Sequence, residues 1–244
     1  MNIIVIIMSF EYRGIQMNGY ENCNLTDTYK RGFTWDEALT GTLHKVITRQ
    51  DVVLECDAHI GTHTALLSTL SKKVYALESY AETYNLLARN VASLDNVIPI
   101  NACLSSEDKE VRINLISHLN PRGYAVTDES PNVTIPAPCP HYMCAETLDS
   151  FSNRLSDRDP ITCIKITNNS YNILRNSEKF IQTYKPTFII SNDFDETLVG
   201  SFLVNTVGGY ESKSYRREWT VYTPTPVTFP SSMKTPGIIV VDDF

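Results

Sequence analysis

Residues 55–64 read Glu-Cys-Asp-Ala-His-Ile-Gly-Thr-His-Thr, small and polar types joining an apolar stretch to a helical pattern. Glu78 closes the next apolar stretch. A turn that lets backbone approach a ligand, followed one βα unit later by a carboxylate able to accept hydrogen bonds from ribose hydroxyls, is the layout of a nucleoside-cofactor site. A plain βα turn with Glu78 as a solvated strand end fits the same spacing, so spacing leaves both readings open. Cys139, His141 and Cys144 offer thiolate and imidazole to a metal, but they supply three ligands at most and no second pair exists elsewhere. No metal is expected. Cys56 and Cys163 fall in apolar runs, where cysteine packs as a small hydrophobe. Tyr215, Arg216, Arg217 and Trp219 form a basic aromatic stretch suited to sugars or nucleotides, or a solvated hairpin face.

These side chains need elements to hold them. From residue 34 onward β-branched runs alternate with helical patterns, as in a sheet built from βαβ units. Thr34 and Glu37 predict a capping box on a helix ending near Arg49. Strands are predicted over residues 52–56, 74–77, 97–102, 111–116, 161–166 and 186–190. Helices are predicted after Gly61, after a Ser79/Glu82 cap, over 173–184 and over 194–207, where Gly208 and Gly209 stop the chain. In the second of these, Tyr80, Tyr84, Leu87, Val91 and Leu94 recur at intervals of three and four, so one face turns to the core. Residues 211–215 and 218–222 predict an antiparallel pair, and 237–241 a short strand or a tail. Residues 117–140 hold five prolines and little periodicity, an irregular excursion of the kind that often carries function. Ligands of open α/β sheets bind outside the carboxyl ends of the strands, where strand order reverses, which selects residues 55–64 and Glu78.

With 244 residues, 42% hydrophobic and 20% charged, the chain can bury a full core as one domain over 1–244. Within it, 1–50 reads as a lead-in and helix, 51–222 as the α/β core and 223–244 as a tail. Lys plus Arg is 21 against 28 for Asp plus Glu, a net charge of −7 with no general attraction to phosphate backbones or anionic lipid. Neither duplex nucleic acid nor membrane is an expected partner. The apolar run over 3–8 falls far short of the roughly 20 residues that span a bilayer. No basic leader precedes Glu11, so a cytoplasmic protein with reduced cysteines is expected, with Met8 as an alternative start.

At the residues singled out above, the sequence resembles the FkbM-type methyltransferases of the class I S-adenosylmethionine-dependent fold. Their first motif, Asp-x-Gly-Ala-Asn-x-Gly, often continued by Thr-His-Thr, aligns without a gap on residues 55–61, keeping Ala58 and Gly61, with Thr62-His63-Thr64 beyond. Val74-Tyr75-Ala76-Leu77-Glu78 is similar to the family's Val-Tyr-Ala-Phe-Glu, and Glu146-Thr147-Leu148-Asp149, Ile164-Lys165-Ile166 and Tyr184-Lys185-Pro186 match later landmarks. The resemblance covers residues 50–192. It implies an α/β, Rossmann-like class I methyltransferase fold: a mainly parallel sheet flanked by helices, with an antiparallel C-terminal pair. It further implies S-adenosyl-L-methionine as cofactor, held by Glu55, Asp57, Ala58, Gly61, Thr62 and Glu78 with Asn101 near the adenine edge, and a sugar or glycan hydroxyl as methyl acceptor.

Several motif positions differ from the family's. Glu55, Asp57 and His59 stand for its Asp, Gly and Asn; Thr167 and Asn169 stand for the two acids of Lys-Ile-Asp-x-Glu-Gly; Ser191 replaces a further acid. A carboxylate at position 57 lies near the expected methionine carboxylate, and two like charges roughly 4 Å apart repel by about 4 kcal/mol at an effective dielectric of about 20. Thr167 can hydrogen-bond a sugar but cannot act as a base near neutral pH. His63, Asp149 and Asp193 are the candidate replacement bases, with ordinary roles as a helix-start residue and two caps as alternatives. Two functions follow: an O-methyltransferase acting on a sugar or glycan, or a catalytically silent fold that binds a partner.

Overall fold

The computed structural model describes residues 7–115, 124–127, 141–155, 159–192, 196–215 and 218–225. The expected lead-in is structured from its seventh residue. Strands β1 (Ile7–Tyr12) and β2 (Ile15–Tyr20) form an antiparallel hairpin. Arg13 and Gly14, at φ 53° and 74°, supply the paired positive dihedrals of a two-residue hairpin turn. Helix α1 (Asn24–Lys30) follows, and Phe10, Met17, Tyr20, Leu25 and Tyr29 cluster with Ile60 and Leu86 of the later chain. Asn90, buried, fixes this unit to the core. Its Oδ1 accepts the Asn18 N–H at 2.8 Å, and its Nδ2 donates to the carbonyls of Asn18 and Ile60, each at 2.8 Å.

Helix α2 (Glu37–Val46) starts on Asp36, whose Oδ1 accepts the Leu39 N–H at 2.8 Å. The expected Thr34/Glu37 box gives way to this cap two residues further on, and the helix stops before Arg49. The alternation then runs β3 (Val52–Cys56), α3 (Thr62–Leu70), β4 (Lys73–Leu77), α4 (Ala81–Asn90) and β5 (Val97–Ile100). After a lateral excursion it resumes with α5 (Leu148–Arg154), β10 (Cys163–Ile166), α6 (Ser170–Leu174), α7 (Glu178–Tyr184), β11 (Thr187–Ser191) and α8 (Glu196–Gly200). Helix α8 runs on as a π-helix over Ser201–Val207, and β12 (Tyr210–Tyr215) and β13 (Trp219–Pro224) close the described chain.

Seven strands make the central sheet in the order β12-β13-β11-β10-β3-β4-β5. Pairings from β11 to β5 are parallel, and β13 is antiparallel to both β11 and β12. This is the mainly parallel sheet with an antiparallel C-terminal pair that the sequence predicts. Strand order reverses between β3 and β10, so the crevice lies at their carboxyl ends. Alternation along β3 feeds two cores: Val52, Leu54 and Cys56 join Phe151, Leu174, Ile181 and Leu203 on one face, and Val53 joins Leu39, Leu66 and Leu87 on the other. Each such side chain contributes about 1.5–3 kcal/mol on burial.

Four local expectations are corrected. The predicted helix over 173–184 is two helices, broken where Asn176 takes φ 66° and donates from Nδ2 to the Ser106 carbonyl. No Ser79/Glu82 box forms; Glu78 Oε1 accepts the Tyr80 N–H at 2.8 Å instead, ahead of α4. The strand expected over 97–102 ends at Ile100, and Cys103–Leu104 (β6) joins a second sheet in the order β6-β9-β7-β8. There β7 (Lys109–Leu115) pairs with β8 (Tyr124–Thr127) and β9 (His141–Glu146), so the excursion expected to be irregular contains a strand. Asp193, Arg216, Arg217, Cys139 and the segment 237–241 lie outside the described residues, as do 116–123 and 128–140.

Candidate functional site

The crevice is built on a buried ion pair. Lys165 of β10 and Glu55 of β3 sit side by side in the parallel register, 2% and 0% exposed, with Nζ and Oε1 3.2 Å apart. Thr64 Oγ1 donates to the other Glu55 oxygen at 2.6 Å. Glu55 is therefore held inside the sheet, and burial raises its carboxyl pKa more than Lys165 and Thr64 lower it. Position 55 supports the turn from below.

Beyond Cys56 the backbone turns sharply. Asp57 and His59 both adopt positive φ, 58° and 53°, conformations that glycine takes freely and other residues take at a cost. Ala58 N–H donates to the Leu77 carbonyl, and Gly61 N–H to the Ala58 carbonyl. Gly61 has φ 93°, and a Cβ there would lie 2.8 Å from Leu87 Cδ1 and 3.1 Å from Val91 Cγ1. The glycine thus lets the turn pack on α4. It caps α3 without a side chain, leaving the first-turn amides from Thr62 onward to an anion.

Glu78 is fully buried and clamps this turn to the next strand, its Oε2 accepting the His59 N–H at 2.9 Å. Asn101 braces it, Nδ2 donating to the Glu78 carbonyl at 2.7 Å and the Ser79 carbonyl at 3.2 Å. Tyr20 of the hairpin lies edge-on to His59, with ring centroids 6.2 Å apart, and pairs its hydroxyl with Thr83 Oγ1 at 2.8 Å.

On the β10 side a polar cavity of about 60 Å³ opens, lined by Asp57, His59, His63, Lys165, Thr167 and Asn168 and walled by Trp35 and Trp219. Three of its groups, His59 Nδ1, His63 Nε2 and Thr167 Oγ1, are buried with no hydrogen-bond partner among the described residues. Such groups call for a polar occupant. Burial and then the Lys165 charge push His59 down to about 4 and His63 to about 3, the latter despite the Trp35 backbone. Both imidazoles are neutral at pH 7, with a lone pair to accept a hydrogen bond and little power to hold a proton.

The structure brings His63, Thr167, Asp57, Ala58 and Thr62 to one cavity. It leaves Asp149 out, because Asp149 Oδ1 accepts the Phe180 N–H at 2.8 Å and caps α7. Trp35 and Asp36 escaped the sequence reading as site residues, and Trp219, read there with Tyr215 as part of a basic aromatic stretch, sits at this wall instead; Trp219 Nε1 donates to Asp36 Oδ2 at 3.1 Å, joining the C-terminal pair to α2. Their signal was two tryptophans in the chain, both placed at this wall. Among the described residues no group of three His, Cys, Asp or Glu is placed to hold a metal, and no helix is long and apolar enough to cross a membrane.

Sheet order and crevice define a Rossmann-like α/β fold, a mainly parallel sheet with an antiparallel C-terminal pair. No family model matches the chain, and no curated protein does. Among solved structures it is similar to methyltransferase FkbM from Methylobacillus flagellatus KT, at 12% identity and TM-score 0.49 over 72% of this chain and 44% of that one. The chain thus spans less than half the length of that protein. It is also similar to M. jannaschii TYW2 in complex with AdoMet (15%, TM-score 0.45, 91% and 86% of the two chains). An rRNA methylase from Streptococcus thermophilus aligns at 13% and TM-score 0.44 over 77% and 95%.

Proposed function

We propose that the protein is an S-adenosylmethionine-dependent O-methyltransferase whose acceptor is a hydroxyl of a sugar or glycan. The observation that carries this reading is the joint at the carboxyl edge, where Glu78 grips the turn before an uncapped helix N-terminus beside a polar cavity with unpartnered groups. The donor set fits the cofactor. First-turn amides of α3 and Thr62 suit a carboxylate. Glu78 is the strand-end carboxylate assigned to the ribose hydroxyls, and Ser79 Oγ, buried with no hydrogen-bond partner among the described residues, lies next to it. Asn101 keeps its Oδ1 for an adenine amino group.

When bound, the cofactor supplies an electrophilic methyl group. The chain's own residues must orient the acceptor and take up its proton. Thr167 and Asn168 offer hydrogen bonds to a polyol, and neutral His63 accepts one from the reacting hydroxyl. Of the two carboxylates lining this cavity, Asp36 is engaged by the Leu39 amide and Trp219 Nε1, and Asp57 serves as the proton acceptor in this reading. The hydroxyls of Thr62 and Thr167 and the amide of Asn168 favour a hydroxylated acceptor.

The full burial of Glu78, with both oxygens on backbone amides, favours a second reading in which the fold binds a ligand without transferring methyl. Calorimetric titration with S-adenosylmethionine and S-adenosylhomocysteine separates the two. Micromolar binding, followed by mass-shifted sugars in an acceptor screen, is the expected outcome. No heat at millimolar ligand overturns the enzyme.

A further inference from the structure

The aromatic-basic stretch near Tyr215 is not used by the site above, and the structure divides it. Trp219 is 2% exposed and faces Asp36. Tyr215 instead borders a separate groove of about 520 Å³ between the end of α2 and the outer strands, which shares no lining residue with the carboxyl-edge cavity. Its floor follows from register. Glu211, Lys213 and Tyr215 alternate on one face of β12, opposite Thr223 and Val221 of β13, and Val221 pairs in turn with Ile189, two residues after Thr187. Helix α2 covers this face only in part, and the strip beyond it stays open.

Two cations converge there. Lys45 Nζ lies 5.8 Å and Lys213 Nζ 5.5 Å from the centroid of the same Tyr215 ring. Neither has a carboxylate partner among the described residues, in a chain of net charge −7. Glu211 is the nearby acid, and its Oε1 accepts the Thr223 hydroxyl. Two cations on one groove wall attract an anion that enters the groove. Thr187 and Thr223 add hydroxyls, which suit a polyhydroxylated body rather than an apolar one. The volume falls within the roughly 300–1,000 Å³ typical of small-molecule sites and far exceeds that of an inorganic anion.

We propose that this groove binds a sugar phosphate, its phosphoryl group between Lys45 and Lys213 and its hydroxyls toward Thr187 and Thr223. The site is independent of the methyl-transfer reading. The test is calorimetric titration of the full chain with glucose 6-phosphate, ribose 5-phosphate, inorganic phosphate and glucose. At least one sugar phosphate should bind saturably and about tenfold or more tighter than inorganic phosphate, with no heat from glucose. Lys45→Ala and Lys213→Ala, each checked for an unchanged melting temperature, should each weaken that binding at least about fivefold, and raised salt should weaken it further. Equal affinity for inorganic phosphate overturns the assignment, as does saturable binding that survives both substitutions, or no binding of either sugar phosphate at about 10 mM.

Discussion

Replacing Lys165 alone should cost more than replacing its whole set of partners. The pair with Glu55 is sealed between β3 and β10 at 3.2 Å, where an effective dielectric of about 20 gives roughly 5 kcal/mol of attraction. Against this stands a desolvation penalty of several kcal/mol for each ion. Burial outweighs the cation and the Thr64 bond at Glu55, so the charged pair adds little net stability. Lys165→Met strands the carboxylate, and the expected loss is about 3–5 kcal/mol. Glu55 can escape only by holding a proton. Its folded pKa then lies further above the unfolded value, so the folded state binds the extra proton and the penalty grows as pH rises from 5 to 8, by up to about 1.4 kcal/mol per unit. The triple replacement Glu55→Leu, Thr64→Val, Lys165→Met removes every charge and donor of the set and should fall within about 1 kcal/mol of the wild type. Urea unfolding at pH 5 and pH 8 reads both effects. A pH-independent penalty for the single variant, or a triple variant less stable than the single one, refutes the reasoning.

Asp57→Gly relieves a positive φ and removes the carboxylate nearest the proposed methionine end, so S-adenosylmethionine should bind about tenfold tighter or more by calorimetry. Weaker binding would mean that Asp57 helps to hold the cofactor itself. Gly61→Ala meets both an unfavourable φ of 93° and the buried Leu87 at 2.8 Å, and should cost about 2–4 kcal/mol in denaturant melts. A cost below about 1 kcal/mol would show that the turn yields easily. His59 and His63 have folded pKa values of about 4 and 3, below the unfolded value of 6.5. As pH falls below 6.5 the unfolded state takes up protons that the folded state refuses, so stability drops by up to about 1.4 kcal/mol per unit for each histidine. Their joint replacement by Gln should flatten that acid limb between pH 6 and 4.5, and an unchanged slope would place the titration elsewhere.

The parallel sheet was legible because β3, β4, β10 and β11 are short apolar runs buried on both faces, the pattern that central strands require. The turn at 57–61 was legible as a strand-end turn because small and polar residue types follow an apolar run there. The roles within it were not. Glu55 reads like a ligand until Lys165, 110 residues away, is found beside it. Gly61 reads like a gap for a ligand until Leu87 and Val91 fill the space. Asp149 reads equally as a base or a cap, and only the Phe180 amide decides between them. The hairpin escaped notice because its turn is Arg13-Gly14 rather than the stronger Asn-Gly or Asp-Gly signal. Strand β8 hides in a proline-rich stretch whose pairing with β7 no local pattern announces.

The hydrogen bonds between Asn90 and Asn18 set an order of assembly. A lone two-stranded hairpin is marginal in water, and this one finds its anchor 72 residues downstream. During synthesis at about 5–20 residues per second, the first strands must wait several seconds before Asn90 is even made. Over that interval Phe10, Met17 and Tyr20 have no Ile60 or Leu86 to cover them, and the edges of β1 and β2 are open to other chains. The hairpin thus settles only once α4 has emerged, and the nascent chain relies on shielding it until then.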